Sequence, residues 1–281
     1  SAVCSYLGTS DSAFLSLCLN YYSYEDLLKE AEEQLWRMDD VNGFITALKE
    51  SRPKLPGLPL LYYNETLKHV YFRTGWKRDD LSVMFACRSP IQNNHAHIDP
   101  CGFDFTAFGI PMAVDPGKFT YQDGQDRKNF KSMGWHNTLT INHQDAWEYI
   151  SSWKYGRQKE GRITGCRTEG GLLWAAASHA NYEPVIHTRA LALVHGEFLM
   201  VMDVVDHLKP EDTVQIQFHI DRPHLHLKDQ TATAQWNEDV SLTVTSNAGS
   251  PALIPARISD RNDIYRDSTI LQYQKSQPEE T

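Results

Sequence analysis

From about residue 60 to its end, this chain is a succession of short runs rich in Val, Ile, Thr and aromatic residues, and that texture limits the folds open to it. The runs fall at 69–74, 80–87, 103–108, 111–114, 138–142, 172–178, 189–194, 198–205, 213–220, 224–227, 231–236, 240–245 and 269–274. They are shorter than the usual helix of about 10–14 residues, and β-branched and aromatic side chains pack well on a pleated surface. Turn formers punctuate them, among them Asp123-Gly124, Gly170-Gly171, His195-Gly196 and Ala248-Gly249. Many short strands so spaced predict an all-β sandwich.

Residues 1–50 follow the other period. Phe14, Leu15, Leu17 and Cys18 form one apolar stripe, and Leu27, Leu28, Ala31, Leu35 and Met38 continue at helical spacing. Ser23, ahead of Tyr24-Glu25-Asp26-Leu27, reads as an N-cap with acidic residues in the first turn. A further short helix is expected from Gly43. Residues 51–59, SRPKLPGLP, then carry three prolines and a glycine and end the pattern. The expected division is a helical segment, 1–58, followed by a β domain, 59–281.

Composition narrows the function classes. A net charge of -9 weighs against a general nucleic-acid or membrane-surface partner, while leaving room for a local anion site. No run approaches the ~18–20 apolar residues of a membrane span. The cysteines Cys4, Cys18, Cys87, Cys101 and Cys166 are odd in number, dispersed and without a CxxC. Reduced thiols are expected rather than a disulfide framework, which leans toward the cytoplasm. The chain starts at Ser-Ala-Val-Cys without a signal-like segment, and a piece of a longer polypeptide is expected.

The chemistry concentrates between Asn93 and Thr140. His95 and His97 are two apart, a spacing that puts both rings on one face if the segment is a strand. Asp115 closes the apolar run Met112-Ala113-Val114, and the following Pro116-Gly117 predicts a tight turn that fixes its carboxylate. His136 opens the run Thr138-Leu139-Thr140-Ile141. If the three runs share a sheet, two imidazoles and a carboxylate converge, a ligand set suited to zinc, with one histidine left for proton transfer. His224-Leu225-His226 repeats the spacing but has no acidic or histidine partner so placed, and reads as strand surface. Arg127, Lys128 and Lys131, with Lys118 upstream, form a cationic patch suited to sulfate or carboxylate groups. Tyr121, Tyr149, Trp147 and Trp153 lie near it as candidates for stacking on sugars.

Four elements carry a resemblance: His95-Ala96-His97-Ile98-Asp99, the Phe-rich run from Phe103 to Phe108, Gly-x-Pro-x-x-Val-Asp-Pro-Gly from Gly109 to Gly117, and Arg-x-x-Phe-x-x-x-x-x-His-Asn-Thr from Arg127 to Thr138. With the lead-in Tyr71-Phe72-Arg73-Thr74-Gly75-Trp76, they resemble the heparinase II/III-like family of polysaccharide lyases across residues 71–142. The resemblance implies a large layered antiparallel β-sandwich preceded by the end of an α/α toroid. It implies cleavage of a uronic-acid polysaccharide, heparin- or heparan-sulfate-like or alginate-like, by β-elimination. It gives His95 the catalytic role, and His97, Asp115 and His136 a mainly structural zinc. Arg127, Lys128 and Tyr121 are then expected at the substrate.

In the family, a catalytic tyrosine and a group that binds the uronate carboxylate come from the toroid. The helical segment here is too short to be one, so the rest of the toroid is expected as the partner, supplied by the same protein. The polymeric substrates of the family imply a periplasmic or secreted enzyme. Two alternatives stay open: a carbohydrate-binding sandwich without catalysis, and a zinc-dependent hydrolase.

Overall fold

Val70 and Phe72, Val83 and Phe85, and Phe103 and Phe105 are spaced two apart on successive strands, and all six side chains are buried. Period-two burial of this kind places one face of a sheet against a core. The structure, a computed structural model, describes residues 12–33, 40–55, 57–87 and 96–276. It divides into two compact units, Ser1–Leu60 with Gly75–Asp80, and Leu61–Thr74 with Leu81–Thr281.

The helical unit contains α1 (Ser12–Cys18), α2 (Tyr24–Glu33) and α3 (Val41–Glu50). Leu15, Cys18, Leu27, Phe44 and Leu48 form its core. Ser23 caps α2 reciprocally: its Oγ accepts from Asp26 N–H at 3.0 Å, and its own N–H donates to the Asp26 carboxylate at 3.1 Å. Asp40 caps α3 through Gly43 N–H. Leu35 and Met38 lie outside the described residues. No described helix is long and apolar enough to cross a membrane.

The second unit is antiparallel β. A meander runs through β1 (Leu61–Asn64), β2 (His69–Arg73), β3 (Ser82–Ala86), β4 (Gly102–Ala107) and β5 (Ile110–Ala113). A short helix, α4 (Gln125–Lys131), and a 3₁₀ turn, Met133–Trp135, precede β6 (Leu139–Ile141). The hairpin β7 (Tyr149–Ser151) and β8 (Lys154–Tyr155) follows. Then β9 (Arg162–Glu169), β10 (Leu172–Tyr182), β11 (Val185–Val194) and β12 (Phe198–Asp206) form a second sheet in the order β12-β11-β10-β9. The chain returns to the first sheet with β13 (Thr213–Ile220). It makes a small sheet of β14 (His226–Lys228), β15 (Thr231–Gln235) and β16 (Ser241–Thr245), and ends in the long hairpin β17 (Pro251–Arg261) and β18 (Ile264–Ser276).

The first sheet runs β1-β2-β3-β4-β5-β13-β18-β17, with β6 also paired to β13. Its inward side chains share one core with Ala175 and Ala177 of β10 and Leu191 and Leu193 of β11. The fold is the layered antiparallel sandwich that the strand texture predicts. The structure adds β1, β7, β8, β9 and β17, which the apolar runs do not mark. Residues 96–101, read as a strand carrying the first histidine pair, are irregular backbone leading into β4.

Candidate functional site

Three segments distant in the sequence meet at the end of β5. Val114 N–H donates to His219 O, and Asp221 N–H to Met112 O, so this end of β5 lies along the edge of β13. Further along the same edge β6 takes over, with Leu139 opposite Ile216. Asn137 fills the gap between them. Its Oδ1 accepts from His219 N–H at 2.6 Å, and its Nδ2 donates to Phe103 O at 2.8 Å and Val114 O at 3.1 Å. Thr138 Oγ1 donates to Pro100 O at 2.7 Å. One dipeptide thereby ties the start of β4, the end of β5 and β13 to the turn that presents His136.

At this junction His97 Nε2 lies 2.9 Å from Asp115 Oδ2, and His136 Nε2 lies 3.7 Å from the same oxygen. The two imidazoles stack, 8° apart in plane with centroids at 4.4 Å. One ligand-type atom from each of His97, Asp115 and His136 falls within 4.8 Å of the others. Asp115 is held as the sequence predicts: its Oδ1 accepts from Gly117 N–H at 2.6 Å. Gly117 has φ +81°, and a Cβ there would stand 2.2 Å from Ser259 O, so only glycine completes this turn.

The outer nitrogens of both rings face oxygen atoms. Asp99 Oδ1 lies 3.2 Å from His97 Nδ1, and His136 Nδ1–H donates to Ser132 O at 2.7 Å. The His136 tautomer is thus fixed with the Nε2 lone pair facing Asp115, and this buried nitrogen has no hydrogen-bond partner. A lone pair aimed at a carboxylate oxygen is repulsive unless a cation stands between them. Burial opposes charge on His97, but Asp115 and Asp99 outweigh it and push its pKa up to about 10. Burial opposes the charge of Asp115 as well, yet His97 holds its carboxyl well below the usual range. Burial, followed by the His97 charge, lowers His136. Burial and then the Asp115 and Asp99 charges raise the Asp104 carboxyl to about 7. The two carboxylates favour the charged form of His97, and a divalent cation among the three side chains would satisfy His97, Asp115 and His136 together.

His95 lies outside the described residues. Beside the triad, a cavity of about 210 Å³ is lined by His97, Asp115, Lys118, Tyr121, Arg127 and Lys131, among others. The cationic patch divides here. Arg127 and Lys131 are buried and line the cavity, while Lys128, one residue from Arg127, is exposed and does not. Tyr121 is engaged by its neighbours: Trp153 stacks on it 3° from parallel, and Lys118 Nζ lies 4.0 Å from its ring centroid. His224 and His226 are exposed, as their sequence context suggests.

Asp99, which closes the His-x-His-x-Asp element, orients His97. One contributor carries no motif: Arg189, fully buried on β11, donates to Asn137 O at 2.8 Å and Cys101 O at 3.2 Å and pairs with both oxygens of Asp203 on β12. Its signal was the alternation itself, since Arg189 and His187 share the buried face of β11 with Val185, Leu191 and Leu193. A second group, Cys101, His179 and His187, also brings ligand-type atoms together. There the nitrogens serve a hydrogen-bond chain. Asn181 N–H donates to His179 Nδ1 at 3.3 Å, His179 Nε2–H to His187 Nδ1 at 3.1 Å, and His187 Nε2–H to Asp203 at 2.7 Å.

Residues 70–279 match the sequence profile of the family described as Heparinase II/III-like, C-terminal. No curated protein matches the chain by sequence. Among solved structures, a heparinase III gene product superposes with TM-score 0.70 at 15% identity, over 91% of this chain and 40% of its own. The heparan sulfate lyase HepC from Pedobacter heparinus gives TM-score 0.68 at 15% identity, over 92% of this chain and 39% of its own. A further heparinase III structure gives 0.67 at 16%, over 91% and 40% respectively. At these identities the likeness is one of fold, and the chain spans about 40% of the length of these relatives.

Proposed function

The chain belongs to the heparinase II/III-like family, whose C-terminal domain it carries, and from that premise we propose that it is the β domain of a polysaccharide lyase. The substrate is a uronic-acid polysaccharide of the heparin, heparan sulfate or alginate kind. A base takes the proton from C5 of the uronate, the electron pair forms a C4–C5 double bond, and the C4–O bond breaks. A C–H beside a carboxylate is weakly acidic, so the charge that builds on that carboxylate must be neutralised, and the leaving oxygen needs a proton. His95, two residues ahead of His97, is the proton-transfer group assigned to this chain. The tyrosine and the carboxylate-binding group come from the helical toroid of the same protein.

The convergence of His97, Asp115 and His136 beside a cation-lined cavity carries this reading. His97 and His136 through Nε2 and Asp115 through Oδ2 would hold zinc, a ligand set that suits this ion. Bound zinc supplies a fixed positive centre. Asp99 and Ser132 orient the two imidazoles, and the Asp115-Pro116-Gly117 turn fixes the carboxylate. Together these residues set the path of the backbone that leads from Ala96 into β4.

The test uses the full-length protein with heparin, heparan sulfate and alginate, following the ultraviolet absorbance of the unsaturated product. The expected outcome is turnover of at least one polymer and a loss of roughly 10²–10⁴-fold on His95→Ala, the range for a general acid–base group, with polymer binding retained. Cleavage to saturated products that chelation abolishes would instead assign a zinc hydrolase. Binding without cleavage by the full-length protein would assign a carbohydrate-binding sandwich.

A further inference from the structure

Arg127 and Lys131 are four residues apart on α4, which places them on one face of the helix. Each is only 2% exposed. Lys and Arg are rarely buried to this degree unless an anion accompanies them. Neither makes an ion pair within the described residues. Arg127 donates from Nη1 to Lys118 O at 2.9 Å, and its Nε has no hydrogen-bond partner. Lys131 Nζ donates to Ser152 O at 2.9 Å and lies 5.1 Å from the centroid of the Tyr155 ring. The nearby carboxylate of Asp123 is engaged elsewhere, by Ser152 N–H at 2.6 Å and Tyr149 O–H at 3.0 Å. Carbonyl oxygens and ring faces satisfy geometry but leave two like charges side by side. Burial and then the Arg127 charge bring the Lys131 amine down to about 8.

Both cations line the cavity of about 210 Å³ beside His97 and Asp115, and Lys118, which is exposed, stands at it as well. That volume falls below the roughly 300–1,000 Å³ of sites that enclose a drug-sized ligand. It suits one substituent or one ring of a longer chain. We infer that this cavity is an oxyanion well, in which Arg127, Lys131 and Lys118 take a single sulfate or carboxylate substituent of an acidic sugar. The sugar rests on the lyase reading above; the anion rests on the unpaired cations alone. The bound oxyanion supplies the negative charge the protein leaves out, through charge-assisted hydrogen bonds to guanidinium and ammonium groups.

Binding to the purified chain is measured by calorimetry and by the shift in thermal unfolding. The probes are sodium sulfate against sodium chloride at matched ionic strength, a sulfated heparin-type disaccharide, and its desulfated counterpart, which keeps only the carboxylate. Wild type is expected to bind sulfate over chloride and to melt higher in it. Lys131→Met and Lys118→Met should each weaken binding about tenfold or more, and Lys128→Met, outside the cavity, should leave it unchanged. Lys118 is exposed, so K118M keeps the test informative if K131M does not fold. Loss confined to the sulfated disaccharide assigns the well to sulfate, and equal loss for both assigns it to the carboxylate. Indifference to sulfate, or equal binding by K118M, K131M and K128M, overturns the inference. Turnover by the full-length enzyme with KM unchanged in K118M and K131M overturns the well and leaves the lyase reading standing. K118M- and K131M-dependent binding without turnover does the reverse.

Discussion

Individual side chains at the junction are set by what holds their far ends. His136 meets Asp115 through Nε2 because Ser132 O occupies Nδ1, and His97 does so with Asp99 at its own Nδ1. A carboxylate behind an imidazole orients the ring, which gives Asp99, the last residue of the His-x-His-x-Asp element, a place in the site. Lys131 supports a prediction of its own. Its pKa in the folded protein, about 8, lies below the ordinary 10.5, so between these values the unfolded chain holds more protons. The cost of its charge is therefore present in full below about 8 and gone above 10.5. In anion-free buffer, Lys131→Met should be more stable than wild type at pH 7, and the difference should shrink as pH rises through that window. Chemical denaturation of both proteins across the range checks this, and a pH-independent difference would contradict it.

At the scale of elements, the site exists because β5 and β6 share one edge of β13 and leave a gap between them. Asn137 closes the gap with its side chain, and His219 supports it from β13, donating to Trp135 O from Nδ1 at 2.6 Å and accepting from Ser268 at Nε2. Asn137→Ala strands His219 N–H, Phe103 O and Val114 O in a buried place. At about 1–3 kcal/mol for each unsatisfied group, the variant should lose roughly 3 kcal/mol or more in denaturant unfolding. Much of this architecture was legible. The apolar runs at 172–178 and 189–194 became β10 and β11 because alternation there is strong and both strands are interior to their sheet. The strands that escaped notice are mostly edges. β17 contains Pro251 and Pro255, which read as breakers but are tolerated on the edge it forms. β9, RITGCRTE, borders the other sheet half-exposed and shows little apolar alternation. The histidine pair misled in a different way: residues 96–101 are irregular, and His97 reaches the junction through that loop rather than through strand periodicity.

Across the whole β unit, the second sheet reaches into the site from behind. Arg189, anchored on Asp203, grips the carbonyls of Cys101 and Asn137, so β11 and β12 brace the loops that carry His97 and His136. That long-range brace was invisible to a local motif, because only the fold brings residues 101, 137, 189 and 203 together. Two of the three converging residues sit beside a turn or strand start with its own signature, Asp115 before Pro116-Gly117 and His136 before Asn137-Thr138, so their meeting was legible locally. The chain spans about 40% of the length of these structural relatives. His97, Asp115 and His136 are proposed to hold one divalent ion. Elemental analysis of the purified chain, after equilibration with zinc and exhaustive dialysis, measures that directly. About one zinc per chain is expected, held by three protein ligands with a fourth position open, as is its loss in a folded His136→Ala variant. A metal-free wild type, or equal zinc in His136→Ala, would contradict it.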